Sequence, residues 1–470
     1  MAEVCSFRGI RYNQGIVGNL AQIICPPYDV ITLEQQRLYH EKSSYNAIRL
    51  EYPLDVSCER SEATPNNKYD RAAITFQQWL KQGILQIDDC PAFYLHDHYF
   101  TYLRKERIRR GLIACVELEP WGSGIYPHEE TFSKAKDDRL HLMRACQANF
   151  SPLLSLYQDS EQKIAPVLAE VAKGKPIMSL RAQRSNLINS NERHIVWAIT
   201  DPKTRQQIGQ FLSAQLLYIA DGHHRYETAL TYQQERTQCH SEPFASRHPE
   251  HSEEAPNVQG KLRKESQKEA FNYVMMELVE FSDPGLIILP IHRLVRGIVP
   301  SALTRLEKQL ESFFTLEFVP LTESLLAPCH CERSEAISKV IGKAILGVLG
   351  LQASSLVVLK KRQDTSLEVM MPSNHPQAYK EFSISLLNHI ILDKILGVEA
   401  GEEGIVYTVD VGEAYQQIKE GEYQLAFLSN PPQPETIKTI VDAKDRMPRK
   451  STYFYPKLPT GLIINPLDWL

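Results

Sequence analysis

Apolar positions in this chain recur at two spacings, and the stretches that show them follow one another with little overlap. Residues 69–81 carry Ala72, Ala73, Phe76, Trp79 and Leu80 three or four apart, which is one face of a helix, and Gly83 closes it. The same reading predicts helices over 161–172, 202–213, 265–276, 303–314, 337–348, 385–396 and 412–419, with another starting near Thr32. Short apolar or alternating runs predict strands at 46–50 (carrying Arg49), 92–100, 111–118, 154–157, 195–199, 216–220, 285–290, 315–319 and 404–410, a hairpin through 356–359, and a strand and turn over 424–432. The charge-dense stretch 104–110 reads as a solvated turn. This mixture predicts an α/β (α+β) chain. A main α/β domain is expected over 1–297, a small α+β module over 298–397, and a C-terminal segment over 398–470 that packs back on the main domain.

Four stretches break the pattern. Cys58-Glu59-Arg60-Ser61-Glu62-Ala63 recurs as Cys331-Glu332-Arg333-Ser334-Glu335-Ala336, and the polar stretches around Arg181–Asn186 and Ser246–Glu254 have the same flavour. They resemble translated copies of a short mobile DNA repeat. Surface loops tolerate such insertions because closure entropy grows slowly with length. Segments 56–67, 180–193, 240–257 and 328–337 are therefore expected to be exposed loops without catalytic roles. Cys329-His330-Cys331 and the histidines His240, His248 and His251 lack the second ligand pair that a zinc site needs.

Composition narrows the class. The chain has 470 residues, 43% of them apolar and 23% charged, enough for two or three domains with real cores. A net charge of −5 argues against a nucleic-acid binder, whose footprint is basic. Nine scattered cysteines, no basic-then-apolar leader and no run of ~20 apolar residues predict a cytoplasmic protein outside the membrane.

The candidate chemistry centres on Leu216–Leu230. An apolar run stops at Asp221-Gly222, and a helical pattern begins at once with His223, His224 and Arg225 in its first turn. A strand, a glycine turn and a helix N terminus make an anion site, because free N–H groups and the helix dipole point at it. A second stretch, Pro127–Leu140, offers His128, Glu129 and Thr131 from a loop, then Lys136, Asp138 and Arg139 from a helix. Cations beside carboxylates suit a phosphate with a divalent ion, and suit equally a solvated helix face with paired charges. Asp29 follows Pro26-Pro27 at a rigid corner. His292-Arg293 stands at a strand end, and Lys450, Ser451 and Thr452 stand where a strand carrying Tyr453 and Tyr455 begins. His96 and His98 share one strand face, which would suit a metal or a half-exposed strand. His389 and Asp393, four apart on a helix, line the site or face solvent.

Taken together, Pro26–Ile31, Pro127-His128-Glu129, Lys136–Leu140, Ala220–Ala229, His292-Arg293 and Lys450–Lys457 resemble, nearly end to end, a bacterial and archaeal family known as domain of unknown function 1015. Within them Asp221-Gly222-His223-His224-Arg225 is similar to the motif of free-serine kinases built on the ParB/sulfiredoxin-like fold. That resemblance implies a ParB/sulfiredoxin-like mixed-sheet core, with His223, His224 and Arg225 holding nucleotide phosphates. The resulting expectation is a phosphotransferase acting on a small hydroxyl metabolite, serine or phosphoserine, with a nucleotide (ATP, ADP or CTP) and Mg²⁺. Asp221 or Glu129 would be general base or Mg²⁺ ligand, and Lys136, Arg139 or Lys450 would neutralise developing charge. Two alternatives stand beside it: a nucleotide-gated ParB-like binding protein, and a metal-dependent phosphatase or hydrolase using His128, Glu129, His223 and His224. Adjacent helical residues point ~100° apart, which makes His223 and His224 an awkward ligand pair.

Overall fold

The computed structural model describes residues 1–55, 67–130, 134–184, 190–241, 269–322, 325, 330–362, 364–398 and 404–468. A mixed sheet of nine strands forms the main body: β1 (Val4–Cys5), β2 (Phe93–Tyr102), β3 (Lys105–Glu117), β4 (Ile125–Pro127), β5 (Leu153–Tyr157), β6 (Met178–Arg184), β7 (Ser190–Ile199), β8 (Leu217–Asp221) and β9 (Tyr273–Glu280). Their order is β4-β8-β5-β9-β3-β2-β7-β6, with β1 added beside β3. β8 runs parallel to β4, β9 runs parallel to β5, and the remaining pairs are antiparallel.

Alternation along β3 separates two cores. Leu112, Ala114 and Val116 join Ile208 and Leu212 of helix Pro202–Ser213 and Tyr226 and Ala229 of helix His223–Ser241. Ile113 and Cys115 face the other way, onto Phe76 and Trp79 of helix Lys68–Lys81 and Leu142 of helix Lys134–Cys146. Trp79 is thus a core residue. The fold class is mixed α/β, three layers deep.

A six-stranded sheet builds the smaller body, in the order Phe314–Pro320, Ser355–Lys361, Leu346–Gln352, Leu425–Leu428, His292–Val295, Ile405–Thr408. Its strands come from all three expected segments, so the chain from 292 onward is interleaved rather than laid out in sequence blocks. The helix Pro434–Asp442 then returns to the main sheet, where Ile437, Ile440 and Val441 pack on Leu154, Leu156 and Tyr218. Each such buried aliphatic side chain contributes about 1.5–3 kcal/mol, enough to keep this return firmly docked.

Several expectations are corrected. Residues 46–50 are not a strand: Asn46 accepts from the Ile48 N–H, and helix Ile48–Glu51 follows. The turn over 104–110 is instead the first half of β3, and Arg109 in it is fully buried. Of the helix expected over 265–276, residues 265–268 lie outside the described residues, Ala270–Asn272 form a single 3-10 turn, and 273–276 open β9. The helix over 337–348 belongs to His330–Ile341, followed by a strand. The run 285–290 stops at strand Ile287–Leu289, and His292-Arg293 opens a new strand in the other sheet. The 385–396 helix divides into Ser383–Leu386 and a π-helical stretch Leu387–Leu396.

Two of the expected loop inserts run, among the described residues, into regular elements. Residues 180–184 and 190–193 extend the β6–β7 hairpin, with Glu192 buried, and 330–337 lies in a helix whose Arg333 pairs with Asp410 at 3.0 Å and whose Ile337 is buried. Segments 56–66 and 242–257, with His248 and His251, lie outside the described residues, as does Cys329. Cys5, Cys25, Cys90, Cys115 and Cys146 are free thiols. Among the described residues no helix is long and apolar enough to cross a membrane.

Candidate functional site

The strand–turn–helix corner forms as the sequence indicates. β8 ends at Asp221, Gly222 takes φ +92°, and helix His223–Ser241 begins. A β-carbon on Gly222 would stand 2.9 Å from Nη2 of Arg225, and that guanidinium cannot retreat: its Nη1 donates to Ser151 Oγ at 3.0 Å and to the Pro152 carbonyl at 2.9 Å. Gly222→Ala is therefore expected to lose about 1–3 kcal/mol of stability, read by urea unfolding; an unchanged midpoint would mean the corner is slack.

Asp221 is fully engaged. Lys457 Nζ donates to its Oδ1 at 2.8 Å, and Arg225 lies 3.5 Å from its Oδ2. Burial alone would raise this carboxyl, but Lys457 and Arg225 outweigh it and hold it at about 2.

Glu129 is engaged too. Its Oε1 accepts from the N–H groups of Ser451 (3.1 Å) and Thr452 (2.8 Å) and from the Thr452 hydroxyl (2.7 Å), and its Oε2 accepts from the Lys450 N–H (3.2 Å). Lys450 takes φ +57°, which curls three successive N–H groups around the carboxylate, an anion nest filled from within the chain. Burial again pushes the Glu129 carboxyl up, while His128, Thr452 and His223 bring it to about 2. His128 spans the same junction: Nδ1 donates to the Ile219 carbonyl at 2.6 Å, and Nε2 meets the Thr452 hydroxyl at 2.7 Å. His223 Nε2 accepts from the His128 N–H at 3.2 Å, and burial holds this ring down at about 3, hence neutral.

These groups border a cavity of about 520 Å³, the size of a small-molecule site. It gathers Asp29, His128, Glu129, Asp221, His223, His224, Arg225, Lys450 and Thr452 from positions up to 423 residues apart in sequence (452 minus 29). His224 Nδ1 is buried without a hydrogen-bond partner. Asp29 is exposed and accepts no hydrogen bond among the described residues.

Other predicted residues lie elsewhere. Lys136 pairs with Glu227, beside the cavity. Arg139 is buried; it donates to the Glu51 carbonyl at 2.6 Å and lies over the Tyr28 ring at 4.1 Å. It thus supports the wall from behind, bordering a separate cavity of about 40 Å³. His292 is buried, and its Nδ1 accepts from the Ser429 N–H at 3.3 Å. Arg293 is buried against backbone carbonyls, and the Ser451 hydroxyl donates to the Pro448 carbonyl at 2.5 Å. His389 bonds Tyr379 at 3.0 Å, away from the cavity lining. Thr131 lies outside the described residues.

The sequence reading missed Lys457, Tyr28, Tyr407, Thr408, Glu413 and Tyr453 of the lining. One signal was there for Lys457: it shares the parity of Tyr453 and Tyr455, and its Nζ sits 4.6 Å above the Tyr453 ring.

The strand pair His96 and His98 is neither half-exposed nor near this cavity. Both are fully buried, with His96 bridging Glu277 (2.9 Å) and His194 (3.0 Å) and His98 reaching Glu192 (3.0 Å). His98, Glu192 and His194 bring ligand-type atoms within 4.8 Å of one another. Arg109 donates to Nδ1 of His98 at 3.3 Å, which puts the ring hydrogen on Nε2, pointing at Glu192, and takes away the lone pair an ion would need there.

Comparison with solved structures finds a free serine kinase mutant in complex with AMP at 12% identity and a TM-score of 0.33, covering 73% of this chain and 87% of that one. A conserved hypothetical protein from Pyrococcus furiosus aligns at 13% identity and a TM-score of 0.32, over 76% of this chain and 97% of the other. SbnI with a C-terminal truncation, from Staphylococcus aureus, aligns at 9% identity and a TM-score of 0.32, over 73% and 84%. No curated protein matches the sequence. The family described as "Protein of unknown function (DUF1015)" matches residues 4–386, well over half the chain, and the protein belongs to it.

Proposed function

We propose that the cavity binds a nucleotide and catalyses phosphoryl transfer to or from a small hydroxyl compound, serine being the first to test. The observation that carries this is one cavity holding both halves of the chemistry. A 19-residue helix presents its N terminus, flanked by His224, Lys450 and Lys457, and Asp29, a carboxylate that accepts no hydrogen bond among the described residues, stands in the same lining. Phosphoryl transfer is mostly positioning and charge neutralisation, so these groups suffice in kind.

The roles shift from those first expected. Glu129 accepts from four donors, Asp221 answers Lys457 and Arg225, and both are held at about 2, which makes them poor bases; their partners compete with any ion, and they hold the cations and the loop in place. Asp29 takes the general-base role, removing the acceptor's hydroxyl proton. Mg²⁺ usually binds through one or two carboxylates plus substrate phosphates; with Asp29 kept as the base and Glu129 and Asp221 engaged by donors, the ion would be held chiefly by the nucleotide's own phosphate oxygens. A bound Mg²⁺ would supply charge neutralisation between phosphate oxygens. The helix N terminus, His224, Lys450 and Lys457 take the phosphate oxygens. A metal-dependent hydrolase has less support, since both ring nitrogens of His128 are already engaged.

The test is a thermal-shift screen with ATP, ADP and CTP, each with Mg²⁺, followed by phosphorus NMR with serine added. A raised melting temperature with one nucleotide and a phosphoserine signal are expected. Absence of both nucleotide binding and turnover overturns the reading.

A further inference from the structure

We infer that Arg109 and Arg293, two arginines outside the cavity, are positioning residues that fix the two ends of segment 449–457 and so set where its ammonium groups stand. Both side chains are almost wholly buried, at 0% and 1% exposure. A buried guanidinium is costly unless its donors are met, so what meets them shows what the residue holds. Arg293 spends its terminal donors on main-chain oxygens, with only Nε left over: Nη2 on the carbonyls of Arg449 (3.0 Å) and Lys450 (3.3 Å), and Nη1 on that of Ile291 (3.3 Å). Among the described residues no carboxylate pairs with it. Arg109 sends Nη1 to the Pro456 carbonyl at 2.7 Å.

The two grips fall where the segment bends. At Lys450 the backbone is left-handed, its carbonyl is held by Arg293, and its N–H and the next two are held by Glu129. The turn is therefore clamped from both faces, and the Lys450 side chain leaves it toward the cavity. At the far end the Pro456 carbonyl precedes Lys457, whose Nζ must reach Asp221 at 2.8 Å. Arg109 sits on the central strand β3 and is braced by His98. Through it the rigid middle of the main sheet fixes Lys457, while Arg293 ties the other end to the second sheet. The cations of the cavity are thus placed by two bodies at once, and their spacing matches an anion only while both grips hold.

The inference rests on the phosphate reading for its effect on affinity, but its structural content is measurable without a ligand. In wild-type protein Lys457 is expected to resist acetylation by limiting acetic anhydride, and the Ser451 and Thr452 amides to resist hydrogen exchange. Arg109→Met should raise Lys457 acetylation by about tenfold or more, and Arg293→Met should speed exchange at Ser451 and Thr452 by a similar factor, the scale of one lost hydrogen bond to a charged group. Exchange in β5 and β9 should stay as in wild type. Arg109→Lys and Arg293→Lys, which keep charge but not the fork, should give smaller changes of the same kind, and they replace the Met variants if those do not fold. Affinity for ADP, by calorimetry, should fall about tenfold in each Met variant. Unchanged acetylation and exchange would overturn the inference even if wild type binds ADP. If the changes appear while wild type binds no nucleotide, the positioning role stands and the phosphate reading falls.

Discussion

Asp29→Asn is expected to abolish turnover, by about 10²–10⁴-fold, while nucleotide affinity and melting temperature stay close to wild type. The split follows from what surrounds the residue. Asp29 is exposed at the cavity and accepts no hydrogen bond among the described residues, so its removal breaks no hydrogen bond, and Lys457 and Arg225, whose charges it feels, keep Asp221. Asparagine keeps the shape but cannot take a proton at neutral pH. The contrast is with Asp221, whose carboxylate answers both Lys457 and Arg225; Asp221→Asn should lower stability and activity together. Steady-state kinetics, calorimetry and a melting curve on the two variants read the difference. An Asp29→Asn protein with wild-type kcat would remove the base from the mechanism, and one that no longer binds nucleotide would make Asp29 a ligand rather than a base.

The parts legible from the chain were those whose determinants are local. Helix Pro202–Ser213 matched its expected range because Asp201 caps it, proline opens it and its apolar stripe has helical spacing. The strand–turn–helix corner at Asp221–His223 was legible for the same reason, since strand end, glycine and helix start are contiguous. β9 was not: Val274, Met275, Met276, Leu278 and Val279 are all buried, because the strand lies between β5 and β3 with both faces covered. Such a run has no alternation, and its spacing is as good for a helix. The first half of β3 failed in the opposite way, since its charges hid a strand whose Arg109 finds its partners on β2 and near the C terminus.

Site residues divide along the same line. Lys136 and Arg139 have the right charges, but on a helix the turn decides direction; one meets Glu227, the other the Glu51 carbonyl. Lys457 meets Asp221 from 236 residues away, a contact that only the closing of both sheets creates. Lys450, Ser451 and Thr452 were expected as phosphate contacts at a strand entry, yet the anion that their N–H groups hold is Glu129. Local pattern reveals a binding capacity, and only the assembled fold says which group fills it.

Because that nest is filled from within, the protein should be sensitive to acid, and Glu129→Gln should share in the effect. Glu129 falls from an ordinary 4.5 to about 2, and Asp221 from 3.8 to about 2. A carboxyl depressed on folding contributes stability that is fully present above its unfolded value and is lost as pH falls toward its folded value. For these two the loss therefore runs from about pH 4.5 down to about 2, worth roughly 3 kcal/mol for Glu129, with Asp221 adding a loss in the same direction. His223 starts the decline earlier. Its ring is held at about 3 against 6.5 when unfolded, so the unfolded chain gains a proton first, and stability begins to fall below about pH 6.5. Urea midpoints measured from pH 8 to 3 should be flat at the top and then descend in two stages. Glu129→Gln replaces the carboxylate with an amide that cannot accept from all four donors. It should lose about 3 kcal/mol at pH 7 and much less at pH 3, where the wild type has itself begun to lose the contribution. Equal losses at both pH values would mean that the carboxylate's charge is not what closes the 450–452 turn, and the nest would have to be explained by packing alone.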